Sequence, residues 1–190
     1  MMGKIACCNV LSDLFAEGVM SVDTLQMLLS LSTRMDEKVR GKVAKMIMAG
    51  FKDSAREAGC TLQSCEAVFN PWVVLGGIAS SVCSPEEFII PNGAEPGDVL
   101  VLTKPLGTQV AVNVYQWMNS KPSTKGYERW ENLKKNVIGT DAALKAYYTA
   151  MASMCTLNLT AANLMHKYGG RAATDITGFG MLLIVLIYLG

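Results

Sequence analysis

Two aspartates from distant parts of the chain have the side-chain type and setting best suited to chemistry. Asp13 stands in NVLSDLF and Asp175 in AATDITGFG. Each has a plain structural reading. Asp13, flanked by Leu11, Leu14 and Phe15, could simply point to water from an amphipathic helix, with Asn9 on the same face four residues back. Asp175 suits a turn, because aspartate caps turns well. Taken together, two carboxylates on different elements suit magnesium, a hard cation that prefers oxygen ligands. Magnesium held in that way usually serves phosphates, which bare carboxylates would repel.

Other candidates are weaker. The six cysteines are Cys7, Cys8, Cys60, Cys65, Cys83 and Cys155, none in a C-x-x-C pair, and His166 is the only histidine. A zinc site needs several clustered ligands, so these thiols read as buried and reduced. Lys104 in TKPLGT could reach a phosphate, but no P-loop pattern accompanies it, and a solvated turn lysine is the alternative. The NLT sequon at Asn158 lies in a helical stretch without a secretory signal.

Composition narrows the class. The chain has 190 residues, 51% of them hydrophobic, with 17 basic and 16 acidic side chains and a formal net charge of +1. Nothing there steers it to nucleic acid, whose binders carry a clustered basic face. The start, MMGKIACC, lacks the apolar core of a signal peptide. The apolar run at 181–189 is far shorter than the ~20 residues of a membrane span and reads as a buried strand or helix fragment. Reduced thiols and no membrane anchor point to the cytoplasm.

The elements that must position these residues follow from periodicity. GKIACCNVLSDLFAEG has helical spacing, and TLQMLLSLS is an apolar run of strand length. DEKVRGKVAKMIMAGFKDSAREAG is the clearest helix, with Asp36 as its cap and Gly59 as its stop. PWVVLGGIASSVC reads as a strand in which Gly76-Gly77 signals a bulge or a close backbone approach. CSPEEFIIPNGAEPG, with three prolines and two glycines, marks a domain boundary between 1–91 and 92–190. GDVLVLTKPLG restarts with a strand, and TQVAVNVYQWMN follows as a helix. The basic segment from Arg129 to Lys135 is a solvated helix or loop. TDAALKAYYTAMASMCTLNLTAANLMHKYGG is a long helical stretch, whole or broken once, with Thr140 as N-cap, His166 and Lys167 in its last turn, and Gly169-Gly170 as its end. Alternating strands and helices give an α/β or α+β chain.

Four segments, MMGKIACCNVLSDLFAEGV, NPWVVLGGIASSVC, PGDVLVLTKPLGTQVAV and AATDITGFG, occur in one order, and together they make the chain resemble the selenophosphate synthetase (selenide, water dikinase) family, eukaryotic branch. The resemblance implies the two-domain aminoimidazole ribonucleotide synthetase-like α/β fold. Both domains would be incomplete: an ATP-binding-type N-terminal domain over 1–91 and a C-terminal domain over 92–190. It implies conversion of selenide, ATP and water to selenophosphate, AMP and phosphate, for selenocysteine synthesis. It implies a homodimer with ATP near the interface, or a heterodimer with a full-length paralogue. By the same resemblance Asp13 binds magnesium and contacts ATP, and Asp175 is a second magnesium ligand.

Three departures accompany it. The family's glycine-rich segment with its cysteine or selenocysteine, and its catalytic lysine, would lie upstream of Met1, so no residue of this chain is assigned a catalytic role. Where the family reads Gly-Gly-Gln-Thr at its ATP contact, this chain has Ser64, Cys65, Glu66 and Ala67. Those four either still contact the nucleotide or form a loop of purely structural use. After residue 180 the sequence diverges. The expectations are therefore a selenide, water dikinase-like protein or, alternatively, an inactive relative that serves as a dimerisation partner, or a truncated product without function.

Overall fold

The computed structural model describes residues 1–177. The order of elements is α1 (Met2–Ala16), β1 (Thr24–Ser32), α2 (Glu37–Glu57), β2 (Ser64–Asn70), β3 (Val74–Ser80), α3 (Thr108–Met118), α4 (Lys125–Asn136), α5 (Thr140–Met154) and α6 (Leu159–Lys167), with a short 3-10 turn at Pro85–Glu87. The Gly-Phe-Gly turn at 178–180 and the apolar run at 181–189 lie outside the described residues.

The chain divides into two compact units. The first comprises Met1–Val101 and the chain from Cys155 onward; the second is Leu102–Met154.

In the first unit β1 is the central strand of a three-stranded sheet in the order β2-β1-β3, parallel to β2 and antiparallel to β3. Its sequence alternates: Leu25, Met27, Leu29 and Leu31 point into the core, and Thr24, Gln26 and Leu28 point out. The core face is covered by α1 and α2, with Leu11, Phe15, Phe51 and Ala55 buried against the strand. Small residues let the layers close. A methyl group on Gly3 would run into the Ile47 carbonyl and the Phe51 amide of α2. One on Gly77 would strike Gln26 O and Val10. The register runs through Gly76 and Gly77 without interruption, so there is no bulge, and Gly77 marks a close approach.

Asp36 caps α2 as expected, accepting from the Lys38 and Val39 amides at 3.0 and 3.3 Å. The helix ends in a left-handed Gly59 at φ 73°, where Gly59 N–H donates to Arg56 O and Cys60 N–H donates to Ala55 O. The same ending closes α6, with the Gly169 and Gly170 amides donating to His166 O and Met165 O.

The connection from β2 to β3 is only Pro71–Val73, and it crosses the end of β1. Two hydroxyls of β1 hold it. Ser32 Oγ donates to Pro71 O at 2.8 Å and Ser30 Oγ donates to Trp72 O at 3.2 Å. This accounts for two buried serines in an otherwise apolar strand.

In the second unit α3 packs on α4 and α5 around Val114, Trp130 and Ala143. Tyr115 and Tyr147 stack with ring centroids 3.7 Å apart. Residues 129–135 lie in α4, so the helical reading of that basic segment is the right one.

Two local readings are corrected. GDVLVLTKPLG forms no strand: Val99 and Val101 are 84% and 72% exposed, and no described residue offers them a sheet edge. Apolar β-branched residues make a strand only where a partner takes their backbone hydrogen bonds. Thr140 is the first residue of α5 and not its cap. The Gly139 carbonyl accepts from Ala143 N at 3.0 Å, which puts the cap one residue earlier. The long helical stretch is broken, between Met154 and Leu159.

Candidate functional site

Asp13 sits in the last turn of α1, on its exposed side, while Leu11 and Phe15 turn inward. Ser12 Oγ lies 3.1 Å from Asp13 Oδ1 and 2.8 Å from Asn9 O. The last turn of α1 contains no basic residue. A carboxylate there faces the negative end of the helix dipole, an unfavourable place that a bound cation would correct. Asp175 lies half-buried in the extended segment after α6, where Thr177 N–H donates to its Oδ2 at 3.1 Å. This is the aspartate turn that its sequence suggests, and one carboxylate oxygen remains outside that bond. No ion pair among the described residues engages either aspartate.

The helix that bears Asp13 meets the helix that precedes the Asp175 segment. α1 packs against α6, although they lie at opposite ends of the sequence. His166 Nε2, in the last turn of α6, donates to Gly18 O at 2.8 Å, just beyond the end of α1. Cys8 Sγ of α1 donates to Cys155 O at 3.3 Å. The histidine is thus engaged in holding two helices. After α6, Arg171 pairs with Asp98 at 2.9 Å and with Glu95, tying the Asp175 segment to the loop before Val99.

Among the described residues no group of three or more His, Cys, Asp or Glu side chains could hold a metal by itself. Each aspartate is the kind of hard oxygen donor that magnesium takes; the ion commonly binds one or two carboxylates and completes its shell with phosphate oxygens and water.

Ser64, Cys65, Glu66 and Ala67 do not form a loop. They open β2 and pair with Gln26, Met27, Leu28 and Leu29 of β1. Pairing to the apolar central strand makes this segment a strand and not a loop. Ser64 and Cys65 are half-buried, and Glu66 and Ala67 are exposed. Burial pushes the Cys65 thiol up, Glu66 adds to that, and Lys52 opposes it.

Burial also pushes the Cys7 thiol up to about 12, with Cys60 and Cys8 contributing. These are protonated, inert thiols and not nucleophiles. None of the six cysteines is in a disulfide. Lys104 is engaged structurally, its Nζ donating to Ser153 O at 3.1 Å near the end of α5. Asn158 precedes α6 as its N-terminal flanking residue.

Sequence reasoning missed Ser12 beside Asp13, because a hydroxyl one residue away carries no periodic signal. It also missed the Ser84–Glu87 capping box, which the S-x-x-E spacing makes readable.

The architecture is similar to that of thiamine monophosphate kinase from Aquifex aeolicus, with a TM-score of 0.61 at 16% identity, covering 93% of this chain and 52% of that one. The chain therefore has the mixed α/β, aminoimidazole ribonucleotide synthetase-like fold, present in part. No family model matches the chain. In sequence it is 53% identical over 182 residues to selenide, water dikinase 3 of Danio rerio, covering 96% of this chain and 39% of that protein. It is 52% identical to selenide, water dikinase 2 of Homo sapiens over the same shares. It is 47% identical to the selenide, water dikinase of Dictyostelium discoideum, covering 95% of this chain and 48% of that protein. Nearly the whole chain is thus similar in sequence to selenide, water dikinases of eukaryotes, and it spans less than half the length of these relatives.

Proposed function

We propose that this chain is the part of a selenide, water dikinase that helps to hold Mg-ATP for selenophosphate synthesis. The observation that carries the reading is the 43–53% identity to proteins of that name over nearly all of the chain. The packing of α1 on α6 is compatible with it, because Asp13 lies on α1 and Asp175 eight residues beyond the end of α6. ATP carries about four negative charges, so its phosphoryl groups are handled through cations and not by direct contact with carboxylates. In this reading Asp13 and Asp175 are the ligands of Mg2+, which supplies charge neutralisation at the phosphates when bound. Ser64, Cys65, Glu66 and Ala67 present an edge strand whose outer backbone amides suit phosphate oxygens. The enzyme is a phosphotransferase that converts selenide, ATP and water to selenophosphate, AMP and phosphate, for selenocysteine synthesis.

A dimer, with itself or with a full-length paralogue, belongs to the same proposal. The sheet face opposite the core carries exposed Leu28, Val68, Val74 and Ile78, an apolar surface fit for a second subunit. A domain division at 91/92 and a cytoplasmic location complete it. The absence of disulfides among the six cysteines suits a reducing compartment, and no described helix is long and apolar enough to cross a membrane.

A second reading, an inactive dimerisation partner, is favoured by one feature. Glu66 is exposed on the strand where the family places its Gly-Gly-Gln-Thr nucleotide contact, and it adds a negative charge there. Titration calorimetry with Mg-ATP separates the two. Binding that falls at least about tenfold in Asp13→Ala and in Asp175→Ala supports the nucleotide site. Absence of Mg-ATP binding, with a dimer retained, supports the partner reading.

A further inference from the structure

The net charge of +1 conceals a local concentration of one sign. The stretch from Lys38 to Lys52 carries Lys38, Arg40, Lys42, Lys45 and Lys52, and no acid. Helix α2 arranges most of these cations. At about 3.6 residues per turn, Lys38, Lys42, Lys45, Lys52 and Arg56 fall within about 80° of its circumference and form one row about 27 Å long. All of them are exposed, and so is Ala49, which occupies the gap in the row. The opposite side of the helix, with Ile47, Phe51 and Ala55, is buried in the core against α1 and β1. Acids stand only toward the two ends of α2: Asp36 and Glu37 at its start, Asp53 and Glu57 near its finish. Asp53 pairs with Arg56 at 3.6 Å. No ion pair among the described residues engages Lys38, Lys42, Lys45 or Lys52. Like charges three and four residues apart destabilise a helix, a cost that a bound polyanion removes.

We propose that this row docks on the phosphate backbone of a nucleic-acid duplex without reading its sequence. A duplex is a line of negative charge, one per ~1.7 Å of its axis, and lysines on flexible stems meet its phosphates as point charges. Composition alone pointed away from nucleic acid because it averages over the chain, whereas helical spacing gathers the cations on one side. Other polyanions fit this row less well. A helix that lies on an anionic membrane sinks its apolar face into lipid, and the apolar face of α2 is occupied by the core. Lysine is depleted at protein interfaces, and the exposed apolar neighbours of the row, Val39 and Met46, stand about two turns apart. Single strands are held by aromatic side chains on which their bases stack, and the one aromatic residue of α2, Phe51, is fully buried.

The test uses the full chain and two fluorescein-labelled DNA duplexes of unrelated sequence, each of about 20 base pairs, read by anisotropy over a range of salt. Both duplexes are expected to bind at low salt with affinities equal within about twofold, and the logarithm of the binding constant should fall with the logarithm of salt at a slope of about −3 to −4, for four engaged lysines. Lys42→Glu with Lys45→Glu should weaken binding about tenfold or more and flatten the slope by about 2. Lys42→Gln with Lys45→Gln should give a smaller loss in the same direction. Lys134→Glu with Lys135→Glu, on the exposed side of α4, changes the net charge by as much as the first pair and should leave affinity within about twofold. Far-UV circular dichroism should be the same for the parent and all variants. An RNA duplex, vesicles containing phosphatidylserine and polyglutamate are the comparisons, and the RNA duplex is expected to bind as the DNA does. The proposal is overturned if neither kind of duplex binds at low salt, or if the α2 and α4 pairs lose affinity equally. A strong preference between the two DNA sequences, or tighter binding of vesicles or polyglutamate than of the duplexes, would overturn it as well.

Discussion

Neither Asp13 nor Asp175 has an ion-pair partner among the described residues, and Asp13 sits in the last turn of α1, against its helix dipole. Removing that opposition should help the bare fold. Asp13→Asn is expected to leave the melting temperature unchanged or to raise it by a few degrees without magnesium, since a terminal-turn charge contributes about 0.3–1 kcal/mol. If Asp13 holds Mg-ATP as proposed, the order should reverse with Mg-ATP present, because only the aspartate would then gain stability by binding. A variant less stable than the parent in both conditions would remove the dipole argument. Cys7 supplies a pH dependence. Its thiol is pushed up from 9.0 to about 12, chiefly by burial. A thiol that the fold keeps protonated stabilises the native state fully below the unfolded group's pKa of 9.0, and that contribution disappears as pH rises toward about 12. Melting temperature should therefore fall between pH 9 and 11, and the fall should be shallower in Cys7→Ala, whose midpoint at neutral pH is itself lower because a buried side chain is lost.

At the scale of elements, Gly76 and Gly77 make a paired test. A methyl group at Gly77 collides with Gln26 O and Val10, whereas one at Gly76 meets nothing within 4 Å. Gly77→Ala should cost about 1–3 kcal/mol by overpacking, and Gly76→Ala should be neutral or stabilising by up to about 1 kcal/mol. Equal effects in urea melts would mean that β3 faces the other way. Ser32→Ala leaves Pro71 O and Arg34 N without their shared partner and should cost about 1–3 kcal/mol. The elements were largely legible because their signals are local. A short apolar run marks β1, an Asp cap and a Gly stop bound α2, and His166-Lys167 with Gly169-Gly170 close α6. The misreadings share one cause. Val99–Val101 and Ser64–Ala67 are decided by whether a neighbouring strand is present, which no single window of sequence contains. For the site, the sequence singles out Asp13 and Asp175 by type, but the contact between α1 and α6 is nonlocal and had to come from the fold.

For the whole molecule, the decisive feature is a sheet with one face in the core and one face open. Leu28 and Ile78 stand on the open face at 43% and 54% exposure. If that face is the dimer surface, Leu28→Asp or Ile78→Asp should shift sedimentation from dimer to monomer while the circular dichroism spectrum stays the same, since one buried charge disrupts an apolar interface by several kcal/mol. An unchanged dimer would move the interface elsewhere. The core behind the sheet has a different history of assembly. Leu157 and Ala162 belong to the same cluster as Leu11 and Phe15. During synthesis the first helix thus emerges long before the residues that finish covering it. At roughly 5–20 residues per second, that surface would wait about 8–30 seconds for its last neighbour. Newborn chains would then be a natural client for a chaperone that shields apolar helices, and stalling translation shortly before residue 157 should yield a protease-sensitive nascent chain, while release after residue 167 should not.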